Sequence, residues 1–131
     1  MALRVFLVED SAAMRAHLIH ILVTEAQVEI VGVAETEAGA TDWLDRNPEL
    51  WDIALVDLFL LEGTGAGVVQ HCRGRRPGQT VMVMTNHVRD DELLHSCKLL
   101  GVDVVYHKGT GLDDMVAHCI GLGAIESAPA V

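Results

Sequence analysis

Five short β-rich runs recur along the 131-residue chain at nearly constant spacing, and a stretch with helical periodicity follows each of them. The runs are Leu3–Val8, Val28–Ala34, Ile53–Val56, Thr80–Met84 and Val102–Tyr106, so their starts lie 25, 25, 27 and 22 residues apart. An interval of that size holds one strand, one helix and two connecting loops. Between the runs, apolar residues return every three or four positions: Met14/Leu18/Ile21/Leu22, Ala40/Trp43/Leu44, Val68/Val69/Cys72, Leu93/Cys97/Leu100 and Leu112/Met115/Val116/Cys119/Ile120. Start and stop signals agree with this reading. Asp10 and Ser11 are placed to cap the first helix, Asp90-Asp91-Glu92 put negative charge at the start of the fourth, and Lys98 and Gly101 close it. The strands are apolar almost throughout, which demands cover on both faces. The expectation is an α/β domain over 1–125, a five-stranded parallel sheet between two helical layers joined by right-handed crossovers, with a short tail at 126–131.

Composition narrows the function. The 9 Lys+Arg against 19 Asp+Glu give 9 − 19 = −10, and this balance repels phosphate backbones and anionic lipid. Direct nucleic-acid binding is therefore not expected; Arg73-Gly74-Arg75-Arg76, the one basic cluster, is too short to reverse that balance. The longest apolar runs, such as Val81-Met82-Val83-Met84, fall far short of the roughly 20 residues of a membrane span. The start runs from one charge through four apolar residues straight into Glu9-Asp10, with no cleavage-site pattern, so no secretory signal is expected. Cys72, Cys97 and Cys119 are odd in number, lack C-x-x-C spacing and fall on the apolar helical stripes. They read as core fillers in a reducing, cytoplasmic setting. His71, His95 and His118 lie close to them in sequence, but no metal-ligand spacing joins the two sets.

In open parallel sheets the ligand site lies beyond the carboxyl ends of the strands, so the polar residues that interrupt each apolar run there are the informative ones. They are Glu9 and Asp10, Asp57, Thr85 and Lys108. The common strand order 2-1-3-4-5 puts its switch point between the first and third strands, where Glu9-Asp10 and Asp57 would meet. Three carboxylates in one crevice repel one another, and a hard divalent ion such as Mg²⁺, which takes oxygen ligands, relieves that repulsion. Asp57 would then face a metal with room for an incoming phosphoryl group, Thr85 could donate a hydrogen bond to that group, and Lys108 could neutralise its charge. Singly, each residue has an ordinary structural reading. Asp57 could start a loop, Asp10 cap a helix, Lys108 be a solvated cation and Tyr106 a half-buried strand aromatic. What distinguishes them is convergence on one rim in one chemical sense. Gly63, Thr64 and Gly65 are read as turn residues opening the third helix, since no Lys-Ser/Thr follows as in a P-loop.

Val8-Glu9-Asp10-Ser11, the segment from Val56-Asp57 through Glu62-Gly63-Thr64-Gly65, Met84-Thr85-Asn86 and Tyr106-His107-Lys108 together resemble the receiver domain of bacterial two-component response regulators, its stand-alone members in particular. The resemblance covers nearly the whole chain. It implies the flavodoxin-like (βα)5 receiver fold with order 2-1-3-4-5 and a phosphoacceptor, Asp57. It also implies Mg²⁺ bound by Glu9, Asp10, Asp57 and the Phe59 carbonyl, phosphoryl contacts from Thr85 and Lys108, and Tyr106 as the aromatic switch. The implied partners are a sensor histidine kinase or phosphotransfer protein upstream and a protein target downstream. The target would meet the face of helix 4, strand 5 and helix 5, with His95, Ser96, Lys98 and Tyr106 as contact candidates. The implied chemistry is self-phosphorylation and self-dephosphorylation without enzymatic turnover of other substrates. Two departures stand out: Gly109 follows Lys108 where the family usually has proline, and Asn86 follows Thr85 where it mostly has a smaller residue. Phe59 and His87 resemble positions that tune the phosphorylated lifetime.

Two other function classes are compatible with such a chain. One is an interaction module that keeps this fold and works without phosphorylation, which Gly109 and Asn86 motivate. The other is a phosphatase of the haloacid dehalogenase type using Asp57 as nucleophile; those enzymes usually carry a second Asp two residues on, where this chain has Phe59.

Overall fold

The computed structural model describes residues 2–86 and 90–127, with side chains described to residue 124. The elements alternate strictly: β1 (Arg4–Val8), α1 (Ala12–Glu25), β2 (Glu29–Ala34), α2 (Glu37–Arg46), β3 (Ile53–Asp57), α3 (Gly65–His71), β4 (Thr80–Thr85), α4 (Asp91–Leu99), β5 (Val104–His107) and α5 (Leu112–Ser127). The five strands pair in parallel in the order β2-β1-β3-β4-β5, as the sequence predicts.

Strand residues alternate between two separate cores, which is the period-2 geometry of a sheet covered on both faces. Phe6, Val8, Ala54, Val56, Val81 and Val83 meet Ala40 and Leu44 of α2, Val68 and Val69 of α3, and Cys97 of α4. Val5, Leu7, Ile53, Leu55, Met82 and Met84 point the other way and meet Leu18 and Leu22 of α1 with Met115, Val116 and Cys119 of α5. All three cysteines are free and buried within these cores. Burial pushes the Cys72 and Cys119 thiols up to about 11, so neither is a ready nucleophile.

Side-chain caps define where the helices begin. Ser11 Oγ accepts from the Met14 N–H, Thr36 Oγ1 from Gly39, Thr64 Oγ1 from Gly67 and Asp90 Oδ1 from Leu93. Asp10, the other expected cap of α1, turns away and accepts from the Leu61 N–H at 2.7 Å. Strand ends differ by a residue or two from expectation. β5 starts at Val104 rather than Val102, because Gly101, at φ 87°, turns the chain out of α4 and Val102 N–H is still bonded to the Cys97 carbonyl. β3 and β4 each run one residue further, to Asp57 and Thr85, and so carry those side chains on regular strand. α5 continues through Ser127, into the segment expected as a tail.

Candidate functional site

Parallel pairing of β1 with β3 in the register Val8↔Val56 brings the next residues, Glu9 and Asp57, to the same level at the carboxyl edge of the sheet. β3 pairs with β4 through Asp57↔Met84, and β4 with β5 through Thr85↔His107, which puts Thr85 and Lys108 at that edge too. The close approach of α3 to the end of β3 depends on Gly65. A Cβ there would lie 2.2 Å from the Asp57 carbonyl oxygen, so no other residue lets this turn sit where it does.

Glu9 is fully buried, and Asp57 and Thr85 are nearly so. Oxygens of Glu9, Asp10 and Asp57 lie within 4.8 Å of one another. Lys108 enters this acidic group from the end of β5, its Nζ 3.0 Å from Asp57 Oδ2 and 3.1 Å from Glu9 Oε2. Glu9 Oε1 accepts from both Ser11 N–H and Lys108 Nζ, the latter at 3.3 Å, and Asp57 Oδ1 accepts from Phe59 N–H. Arg15 of α1 donates to the Glu9 carbonyl at 2.9 Å while pairing with Glu35.

Burial and the neighbouring Asp57 charge push the Glu9 carboxyl above the usual carboxylate range, against the pull of Lys108 and the Ser11 N–H. Burial works against the Lys108 ammonium as well, but its hydrogen bonds to Asp57 and Glu9 outweigh this and hold its pKa above the ordinary lysine value. Three ionised carboxylates and one ammonium leave a formal charge of −2, the charge a divalent cation neutralises. Glu9 Oε2 has no hydrogen bond, only the ion pair with Lys108, and so keeps acceptor capacity buried beside two other carboxylates. A hard cation with oxygen preference, such as Mg²⁺, fits this donor set.

The structure therefore gathers four of the sequence-predicted residues, Glu9, Asp10, Asp57 and Lys108, into direct contact or near contact. Thr85 ends the adjacent strand, and its carbonyl accepts from the Lys108 N–H at 3.1 Å. Phe59 is the second residue of the β3–α3 connection and is 54% exposed. Tyr106 is turned to the α5 side, its hydroxyl 2.7 Å from His118 Nδ1 and its ring in edge contact with that imidazole. Burial raises the Tyr106 hydroxyl pKa, with Cys119 and Asp114 adding to it. His87 lies outside the described residues.

Sequence reasoning gave His118 and His107 no role at the site. His118 stands 12 residues from Tyr106, across a loop and nearly two turns of helix, and no local pattern signals that pairing. His107 Nδ1 accepts from the N–H groups of Gly109 and Thr110, two and three residues on. The available signal was an acceptor side chain immediately before Lys108-Gly109, the spacing at which Asn and Asp side chains build turns. No peptide bond among the described residues is cis, that between Lys108 and Gly109 included.

Residues 5–120 match the family model of the response regulator receiver domain. A curated relative, the DNA-binding transcriptional activator DevR/DosR of Mycobacterium tuberculosis, is 28% identical over 92 residues, 70% of this chain. That match spans 41% of the relative's own length. Among solved structures, a LuxR-family DNA-binding response regulator from Staphylococcus aureus superposes with TM-score 0.79 at 15% identity, covering 92% of this chain and 98% of the other. The phosphorylated cyanobacterial phytochrome response regulator RcpA superposes with TM-score 0.73 at 22% identity, covering 100% of this chain and 98% of the other. With the sheet order, the acidic rim and the family match in agreement, the chain belongs to the response regulator receiver domains of two-component signalling.

Proposed function

We propose that this receiver domain is a switch operated by phosphorylation of Asp57. The observation that carries the reading is the buried Asp57 carboxylate, 3.0 Å from the Lys108 ammonium and clustered with two further carboxylates. In the proposed step an Asp57 oxygen attacks the phosphorus of a phosphohistidine or acyl phosphate, and the donor leaves with the electron pair of the broken bond. A histidine kinase or phosphotransfer protein would supply the group. Mg²⁺, held by the carboxylates of Glu9, Asp10 and Asp57 and the Phe59 carbonyl, would supply charge neutralisation for the phosphoryl oxygens. Lys108 would shift its charge from the carboxylates to the transferred group, and the Thr85 hydroxyl would donate to it. The phosphoryl group adds about −1.5 to −2 charges to the rim, and this drives the response.

The response we propose is an inward movement of Thr85 followed by rotation of Tyr106. The Tyr106–His118 hydrogen bond holds the ring on the α5 side in the state described here, and rotation would break it. The surface of α4, β5 and α5 would then change, with exposed His95, Ser96 and Lys98 on α4 available to a partner protein. Chemistry is proposed to stop at the domain's own aspartate. Phe59, where a haloacid dehalogenase-type phosphatase carries its second Asp, offers no carboxylate to protonate a leaving group.

Intact mass after incubation with acetyl phosphate and Mg²⁺ tests this. One phosphoryl adduct is expected, absent in Asp57→Asn and absent without the metal. A folded parent protein that takes up no phosphoryl group under these conditions contradicts the reading and favours a phosphorylation-independent interaction module.

A further inference from the structure

Four consecutive backbone N–H groups follow the last strand, and all are committed. Lys108 N–H ends the β4–β5 ladder on the Thr85 carbonyl at 3.1 Å. Gly109 N–H and Thr110 N–H both turn back to one atom, His107 Nδ1, at 2.9 and 3.0 Å, and Gly111 N–H reaches the His107 carbonyl at 2.9 Å. The turn is packed as well as bonded. A Cβ at 109 would lie 3.1 Å from the His107 ring, and one at 111 would lie 2.8 Å from the His107 nitrogen.

We infer that His107 is the positioning residue for Lys108, its imidazole Nδ1 acting as the acceptor that fixes the turn from which the ammonium reaches Asp57. The role of that ammonium in chemistry rests on the switch reading above; its placement does not. Lys108 has a flexible four-carbon stem, so the fold can preset only the backbone that carries it. The residue after it is Gly109, which neither restricts φ as a proline does nor gives the turn a side chain to pack. Gly109 does bring an N–H, which proline lacks, and His107 supplies the acceptor for it. One ring atom taking the N–H groups of residues two and three ahead is the geometry of an Asx-type turn, with imidazole in place of a carboxamide oxygen. To accept both bonds Nδ1 must present a lone pair, which places the proton of the neutral ring on Nε2.

Two substitutions separate the acceptor from the ring. His107→Phe keeps a ring and strand propensity but has no acceptor, and His107→Asn restores an acceptor with the right reach; His107→Leu replaces the Phe variant if the phenyl ring does not fit. The main readout is the side-chain carboxyl 13C resonance of Asp57 in metal-free protein, which senses the ammonium 3.0 Å away. It is expected to move in His107→Phe toward its position in Lys108→Ala, and to stay at the parental position in His107→Asn. Amide exchange at Gly109 and Thr110 is expected to accelerate in the Phe variant only. With acetyl phosphate and Mg²⁺, His107→Phe is expected to slow adduct formation by roughly tenfold to a hundredfold, the scale of a small misplacement of a reacting-site group, and to have no further effect in a Lys108→Ala background. An Asp57 resonance that stays at the parental position in His107→Phe overturns the inference, as does an equal slowing in the Lys108→Ala background. If that resonance moves as expected while the parent takes up no phosphoryl group, the switch reading fails and the positioning role stands.

Discussion

Phe59 occupies the point where backbone and side chain serve different ends. Its N–H holds Asp57 Oδ1 at 3.2 Å, whereas the residue as a whole is 54% exposed beside the acidic rim. On the proposed reading a bulky apolar group there would impede an attacking water, so Phe59→Asn is expected to shorten the phosphorylated lifetime several-fold, measured as adduct decay after the phosphodonor is removed. An unchanged decay would show that the side chain does not shield the site. At this scale the carboxylates and Lys108 were readable in the sequence because each interrupts an apolar run at a strand end. The supports of Lys108 and Tyr106 were not. His107 Nδ1 sits at the spacing of an Asx-type turn, but its ring orientation decides whether it accepts, and His118 meets Tyr106 through the packing of α5 on the sheet, which no local spacing reveals.

At the level of elements, the sheet is fastened at both ends of its central strands. Away from the acidic rim, Asp52 precedes β3 and receives three donors from the first residue of β1: Arg4 N at 2.8 Å, Nε at 3.2 Å and Nη2 at 3.1 Å. Burial works against the Asp52 charge, but these bonds outweigh it and hold its pKa below the usual aspartate value. The stabilisation is therefore fully present above the unfolded pKa near 3.8 and lost as pH falls through the lower folded value. Asp52→Asn is expected to cost about 1 kcal/mol at neutral pH in urea unfolding, and the gap from the parent should close on acidification. At the functional end, Gly65 lets α3 start against β3. Gly65→Ala forces its methyl onto the Asp57 carbonyl and is expected to destabilise the fold by roughly 1–3 kcal/mol, with a matching loss of phosphoryl uptake. The number, type and alternation of the elements followed from periodicity and spacing, whereas the strand order within the sheet rested on the common switch-point arrangement and the family resemblance. Boundaries followed less well: β5 begins two residues late because the Gly101 turn still consumes the backbone donor of Val102, a hydrogen-bond assignment that apolar character does not reveal.

Across the molecule, a chain of net charge −10 concentrates three carboxylates at one rim and brings a single lysine into them. The two cores link that rim to opposite faces: Asp57 and Thr85 end the central strands, while Tyr106 leaves the sheet toward α5. Coupling between them requires Tyr106 to have two positions and the modified Asp57 to prefer one; moving the ratio from 1:99 to 99:1 takes about 5.5 kcal/mol of differential interaction. Tyr106 is the chain's single tyrosine, so fluorotyrosine labelling reports on it alone. The 19F spectrum with beryllofluoride and Mg²⁺, in the parent and in Asp57→Asn, tests the central claim most directly. A second Tyr106 resonance that appears only when Asp57, Mg²⁺ and beryllofluoride are all present is the expected result. A single unmoved resonance in a parent protein shown by mass to accept the phosphoryl group would contradict the coupling between the acidic rim and the α4–β5–α5 face.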